Sequence, residues 1–324
     1  MHLKTINTMG TGYSGSSAIY EFFQKSDLFY DPFPESNFSL TYDPGGLVDL
    51  EVLIKSSFTI NKSKIAYERF IDLIEYYSKE KSRFDLGKKL LRHNPNLKNL
   101  LSNFLNNITI LKYKGDTGYS QYKSNFSERI KIKILLKLNN LLKKKMKNQT
   151  ELYLFCDHDH FQEEIKKLFF ELFEKENIKK KDIILDQAGS IFNPKESTKF
   201  FSNPYNICVL RDPRDIYTEF KRKGYGYPGY DVETFCNWYK LIMKKIDYTE
   251  NEKLIFISFE DFALKKDLIL KKIFDFLKIE FNNYDDVKFN FKRPENNVQQ
   301  FKDGLEKIEL EYIENKLTNY LFKF

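Results

Sequence analysis

Cysteine is scarce in this chain: Cys156, Cys208 and Cys236 are the only three among 324 residues. They are widely spaced and form no CxxC pair, so neither a zinc site nor a disulfide framework is indicated. Reduced thiols in a cytoplasmic protein are the expectation, with Cys208 and Cys156 buried in apolar runs. Long hydrophobic stretches are also missing. No run approaches the ~20 apolar residues that span a bilayer. The N-terminus has no apolar block of the ~7–15 residues found in a cleaved leader, so none is expected. There is no internal repeat and no low-complexity tail. No metal is expected either. Charge of one sign is not concentrated: 53 Lys and Arg against 46 Asp and Glu give a net charge of +7, too diluted along the chain for a nucleic-acid-binding protein. It still favours an anionic partner: a nucleotide, an acidic sugar or an anionic membrane surface.

What is present begins at once. Leu3 to Thr8 alternates as a strand and runs into Gly10-Thr11-Gly12-Tyr13-Ser14-Gly15-Ser16-Ser17. A helix pattern follows to about Gln24, with Ser16 and Ser17 as candidate caps. Strand, glycine turn and helix together aim backbone N–H groups at an anion. Further strands are predicted at Leu28–Tyr30, Ile183–Asp186, Asn206–Leu210 and Leu254–Ser258, with helical patterns between them. Leu152–Cys156 reads as a strand or as the start of a long helix. The segment at about 47–150 reads as a mostly helical insertion in one domain spanning 1–324. The predicted fold is α/β: three layers around a central parallel sheet of about five strands.

The opening turn fits two patterns. Gly10, Gly12 and Gly15 match GxGxxG, and Asp31 then sits where a ribose-binding acid belongs. Gly10 to Ser17 also fits a phosphate loop, GxxxxGK[ST], with Ser16 in place of the lysine. A plain glycine turn of a βα unit is the third option. Thr11, Ser14, Ser16 and Ser17 supply hydroxyl donors, which favours a terminal phosphate-like group. Without the lysine, and with no evident magnesium-binding acid, ordinary ATP hydrolysis is disfavoured.

The second signal is Arg211-Asp212-Pro213-Arg214-Asp215, which follows the apolar run ending at Leu210. It puts a phosphate-forking arginine at a strand's carboxyl end, beside a helix capped by Asp212 with Pro213 at its first position. Here the chain resembles the sulfotransferases that use 3'-phosphoadenosine 5'-phosphosulfate (PAPS). That family has an SGTT-type loop after strand one and an RDPRD-type motif at a later strand's end. Ser14-Gly15-Ser16-Ser17 and Arg211 to Asp215 match these two motifs. Phe259-Glu260-Asp261-Phe262 and Asn296 to Leu305 look like the family's later elements. The resemblance covers both ends of the chain and leaves 47–150 unmatched. It implies a P-loop-like fold and a carbohydrate-type bacterial member. It assigns the 5'-phosphosulfate to Gly12, Ser14, Gly15, Ser16 and Ser17, the 3'-phosphate to Arg211, and places Lys302 in the nucleotide loop.

The chain departs from that family at several points. The residue before the SG pair is usually a lysine or arginine that stabilises the leaving oxygen. Here it is Tyr13, so Lys112 or Lys114 becomes a substitute cation. Where a serine usually contacts the 3'-phosphate stands Glu219, with Thr218 one residue earlier as the substitute. The family's carbohydrate enzymes place a glutamate base 22 residues after the loop cation, which falls on Glu35. His158 is the rival base; with His160 it reads as a metal pair or as a polar turn or helix cap. The expected partners are a small-molecule or glycan acceptor. Arg129–Lys147, with eight Lys or Arg and no acid, reads as a contact with an anionic membrane surface or as a solvated face. Two alternatives stay open: a non-catalytic binding protein on the same fold, and an NAD(P)-dependent oxidoreductase using Asp31.

Overall fold

Strands β1 (Thr5–Gly10), β4 (Ile183–Asp186), β5 (Pro204–Leu210) and β6 (Leu254–Ser258) form one parallel sheet in the computed structural model, in the order β4-β1-β5-β6. Residues 3–79, 86–115, 150–224, 231–280 and 287–324 are described, with isolated positions between them. The chain divides into two compact units, Met1–Thr41 with Leu172–Phe324, and Tyr42–Glu171.

In the first unit the strands alternate faces, as the two-residue period requires. Ile6, Ile207, Val209, Ile255 and Ile257 join one core, packed by α1 (Ser16–Lys25) and by helices near the C-terminus. Met9 and Cys208 join the other. Helices therefore cover both faces, as a parallel sheet needs to keep its strands dry. β4 and β5 flank β1, so the chain changes sides beyond the strand ends, where ligands of open α/β sheets bind.

The second unit contains α2 (Leu47–Ser56), α3 (Ile60–Tyr77), α4 (Leu86–His93) and α5 (Leu97–Ile108). An antiparallel pair follows, β2 (Thr109–Gly115) with β3 (Thr150–Phe155), then α6 (His158–Phe169). The stretch at Leu152 is thus a strand and the unit is not wholly helical. The remaining helices among the described residues belong to the first unit. They are α7 (Pro194–Thr198), α8 (Pro213–Lys223), α9 (Val232–Met243), α10 (Phe259–Leu264) and α11 (Lys266–Leu277), then α12 (Lys292–Glu295), α13 (Phe301–Gly304) and α14 (Lys307–Lys316).

Several local expectations change. Leu28–Tyr30 is not a strand; only Tyr30 bridges to Ile183 at the β4 edge, because Asp27 turns at φ 54 and Pro32 has no N–H to extend the ladder. The loop expected at Lys292–Lys302 holds two single helical turns, α12 and α13. The last helix stops at Lys316, before a short 3-10 turn at Thr318–Tyr320. Most of Arg129–Lys147 lies outside the described residues, as does most of the loop after Gly224. Among the described residues no helix is long and apolar enough to cross a membrane.

Candidate anion-binding site

The glycine turn is closed by its own backbone. Ser14 N–H donates to Thr11 O at 3.1 Å, with Tyr13 at φ 61, a position in such turns that favours glycine. A Cβ on Gly10 would fall 1.9 Å from Ser14 Oγ, so only glycine fits there. Gly15 caps α1 at φ 85, and a Cβ on it would lie 2.2 Å from the Phe259 ring. The cap is therefore Gly15 rather than Ser16 or Ser17, which are the first two helical residues. With no side-chain cap present, the first N–H groups of α1 point out of the helix end.

The hydroxyls divide by role. Ser14 Oγ is buried and without a hydrogen-bond partner among the described residues. Ser16 Oγ accepts from Gln187 Nε2, so its own hydrogen can still be donated. Ser17 is exposed and donates to Asp186 Oδ2 at 3.0 Å. Asp186 Oδ1 takes a second bond from Thr8 Oγ1 at 3.1 Å. Burial pushes the Asp186 carboxyl up to about 6, opposed by those two hydroxyls. A carboxylate with a hydroxyl partner in the turn is thus present after all. The sequence signal for it is slight: an acid closing the fully buried run Ile183-Ile184-Leu185.

The arginine motif meets the turn directly. Arg211 Nη1 donates to Tyr13 O at 3.0 Å and Nη2 to Asn297 O at 2.5 Å. Its guanidinium lies 4.8 Å from the Phe259 ring centroid, and its Nε has no partner among the described residues. Burial lowers the Arg211 pKa against the pull of Asp215, Glu260, Glu219 and Asp212.

The rest of the motif binds main chain. Asp212 caps α8 by accepting from Arg214 N–H at 2.8 Å, pairs with the Arg214 side chain at 2.7 Å, and takes Phe322 N–H at 2.9 Å. Asp215 accepts from Gln299 N–H at 2.9 Å and Phe301 N–H at 3.1 Å. Arg214 also pairs with Glu314 at 2.7 Å and sits 4.2 Å from the Phe301 ring centroid. Glu260, itself buried, accepts from Asp212 N–H at 2.8 Å. Arg211-Asp212-Pro213-Arg214-Asp215 therefore straps residues 297–324 beside the turn. Nothing in the sequence pattern announces that strapping.

The other candidates are dispersed. The Tyr13 ring packs edge-on against Phe220 at 5.1 Å. Thr218 is buried, donates to Arg214 O at 2.9 Å, and lies where a Cβ on Gly304 would fall, 2.4 Å from its methyl. Glu219 is buried and held by Arg222 at 2.6 Å. Lys302 is exposed on α13, and Gly12 is half-buried. Glu35 is exposed at φ 58, with its N–H on Tyr20 Oη at 3.1 Å. Asp31 accepts from Tyr20 Oη, Gln24 and Phe33 N–H.

His158, Lys112 and Lys114 belong to the second unit. His158 Nε2 pairs with Glu51 Oε1 at 3.0 Å, and Lys112 Nζ donates to Asn106 Oδ1 at 3.0 Å. Asp157 caps α6 through His160 N–H, so the two histidines open a helix rather than lie on a strand. Among the described residues no three His, Cys, Asp or Glu gather as metal ligands.

No protein-family model matches the chain, and no curated protein matches it. Among solved structures it is similar to the sulfotransferase domain from the Synechococcus PCC 7002 olefin synthase. That match has 14% identity, 99% coverage of this chain and 95% of that one, and a TM-score of 0.45. The sulfotransferase domain from the curacin biosynthetic pathway matches at 12% identity, covering 98% and 97%, with a TM-score of 0.45. Sulfotransferase STF9 from Mycobacterium avium matches at 9% identity, covering 98% and 75%, with a TM-score of 0.32.

Proposed function

We propose that this protein is a sulfotransferase that takes a sulfuryl group from PAPS to a hydroxyl or amine, with a carbohydrate as acceptor. The observation that carries the reading is the Arg211–Tyr13 hydrogen bond. Two sequence signals almost two hundred residues apart meet at the carboxyl ends of adjacent parallel strands. A turn that binds a 5'-phosphosulfate and an arginine that serves a 3'-phosphate must be neighbours in that way. Ser14 Oγ and Arg211 Nε, both buried and unpartnered among the described residues, are donors suited to an anion. Gly12, Gly15, Ser16 and Ser17 complete the turn, Thr218 packs against the strapped segment, and Lys302 lies on it.

The reaction is an in-line displacement. The acceptor oxygen attacks sulfur, its proton passes to the Glu35 carboxylate, and the bond to the bridging oxygen breaks to release 3'-phosphoadenosine 5'-phosphate (PAP). Tyr13 stands where the leaving oxygen needs a donor. A phenol there supplies a hydrogen bond but no charge.

A second reading is favoured by two observations: the Tyr13 ring packs on Phe220, and both terminal nitrogens of Arg211 are already on carbonyls. On that reading the protein binds nucleotide without turning it over. Calorimetric titration with PAP, NAD and 5'-AMP tests the nucleotide assignment. PAP alone should bind, and Arg211→Lys should weaken it about tenfold or more through loss of the planar fork. Radiolabelled PAPS with a sugar panel then separates enzyme from binder. Transfer lost in Glu35→Gln supports the first reading; PAP binding without transfer supports the second. Binding of NAD but not PAP refutes both.

A further inference from the structure

Glu35 has a backbone that glutamate rarely adopts, and the surrounding loop explains why it stays there. At φ 58 it lies in the left-handed region. A residue held so persists only where its surroundings over-determine it, and such residues gather at functional sites. Here the determinant is a phenol. Glu35 N–H donates to Tyr20 Oη at 3.1 Å. Tyr20 is 4% exposed and belongs to α1, the helix that opens the anion turn. Its Cα lies three residues beyond Ser17, a rise of ~4.5 Å.

The phenol is itself fixed. Tyr20 Oη donates to Asp31 Oδ2 at 2.5 Å and accepts from Gln24 Nε2 at 3.1 Å. The same Gln24 amide donates to Asp31 Oδ2 at 2.9 Å, and Asp31 Oδ1 accepts Phe33 N–H at 3.0 Å. Burial above all, and Asp31 second, raise the Tyr20 pKa far above its ordinary value, so the phenol keeps its proton. Beyond Glu35, Ser36 N–H bonds Phe33 O at 3.0 Å and Phe38 N–H bonds Asp186 O at 3.1 Å. The loop is thus pinned to α1 in its middle and to the end of β4 on its far side.

We propose that Tyr20, supported by Asp31 and Gln24, is the positioning residue that holds the Glu35 carboxylate at the acceptor hydroxyl. This rests on the reading of Glu35 as the general base. One helix then sets both halves of the reaction: its N-terminus holds the donor anion, and the Tyr20 hydroxyl holds the base. Asp31, which the GxGxxG pattern offers for a ribose, acts here on a phenol instead.

Tyr20→Phe removes the hydroxyl and keeps the ring. Three measurements on the full chain decide the matter. Hydrogen exchange at the Glu35 amide should quicken. The PAP dissociation constant should stay within about twofold, since the turn is untouched. PAPS turnover should fall in kcat by ~10- to 100-fold with KM for PAPS unchanged, the loss expected for a misplaced reacting group. Adding Glu35→Gln to Tyr20→Phe should cost no more than Glu35→Gln alone, because the two act as one unit. Unchanged exchange at Glu35, or wild-type turnover in Tyr20→Phe, overturns the proposal. If PAP binding is lost as well, the variant has misfolded, and Gln24→Met becomes the decisive variant, with a smaller fall in kcat and the same unchanged KM. Full turnover in Glu35→Gln, or none in the wild-type chain, overturns the proposal from the other side, by removing the base or the reaction it serves.

Discussion

Asp186 makes the stability of the sheet unit depend on pH in a direction that can be worked out. Its buried carboxyl stands at about 6, against 3.8 for an ordinary aspartate. That difference of about 2 corresponds to ~3 kcal/mol at ~1.4 kcal/mol per unit of pKa. The folded state holds the proton more tightly than the unfolded state. The stabilisation is therefore complete below 3.8 and is lost as pH rises through about 6. Asp186→Asn removes the titration. Its amide can accept from one of Thr8 and Ser17 and donate to the other, so the site stays hydrogen-bonded. Trp238, the only tryptophan, packs against the core of the first unit, so its fluorescence follows that unit alone. Urea titrations at pH 5 and pH 8 should show the wild type losing ~1.4 kcal/mol relative to Asp186→Asn, the part of the loss that falls above pH 5. Asp215 and Glu260, which burial also raises, are common to both proteins and cancel in the comparison. Equal losses in the two proteins would refute the argument. The same charge opposes an anion in the turn, so PAP should bind more weakly above pH 6 in the wild type and with a flatter profile in Asp186→Asn.

Three further substitutions test the site. Gly15→Ala meets both a left-handed backbone and the Phe259 ring, so it should cost ~2 kcal/mol or more by Trp238-detected unfolding and abolish PAP binding. Asp215→Ala leaves two backbone N–H groups unpaired and removes one of the carboxylates near Arg211. It should cost ~3–5 kcal/mol and speed hydrogen exchange at Gln299 and Phe301; unchanged exchange there would sink the strapping argument. Tyr13→Lys gives up a ring contact of ~0.5–1.5 kcal/mol with Phe220 but, on the proposed reading, puts a cation at the leaving oxygen. In an enzyme its PAPS turnover should rise ~100-fold, the scale of one preorganised transition-state donor; no rise favours the binding-only reading.

Much of the scaffold was legible because it is written in local patterns. Ile183–Asp186, Asn206–Leu210 and Leu254–Ser258 are short apolar runs between turn signals, and all three are strands of the parallel sheet. Asp212 and Pro213 announced the start of α8, and Asp212 does accept the Arg214 N–H. What escaped the sequence lies in contacts between distant residues. Asp186 reaches Thr8 and Ser17 because parallel pairing sets Thr8 opposite Asp186, a register no local pattern contains. Gly15 displaced the serines as cap because Phe259, far along the chain, occupies the space a side chain would need. Leu28–Tyr30 looked like a strand by composition, but the chain turns at Asp27 and only Tyr30 of the three bridges to β4.

The same physics recasts the arginine motif. Read as a sequence, Arg211 to Asp215 is a nucleotide signature. In the fold, Arg211, Asp212, Arg214 and Asp215 each bond main chain in residues 297–324 or within the turn itself. Those carbonyls and N–H groups, once buried, must be satisfied, and side chains on the first turn of α8 and on the two residues before it satisfy them. The motif thus builds the wall beside the turn before it can serve any ligand. Positive charge at the turn then comes from few sources. The lysine is absent, Tyr13 is uncharged, and Asp186 adds negative charge through Ser17. Among the described residues the donors that remain are the N-terminal end of α1, the uncharged hydroxyls of Ser14 and Ser16, and the Nε of a desolvated Arg211. These donors are fixed by the fold rather than carried on a flexible stem. On the proposed reading, a site so built is organised before an anion arrives, and its weakness would lie in the charge to be stabilised as a bond breaks, not in the geometry of ligand binding.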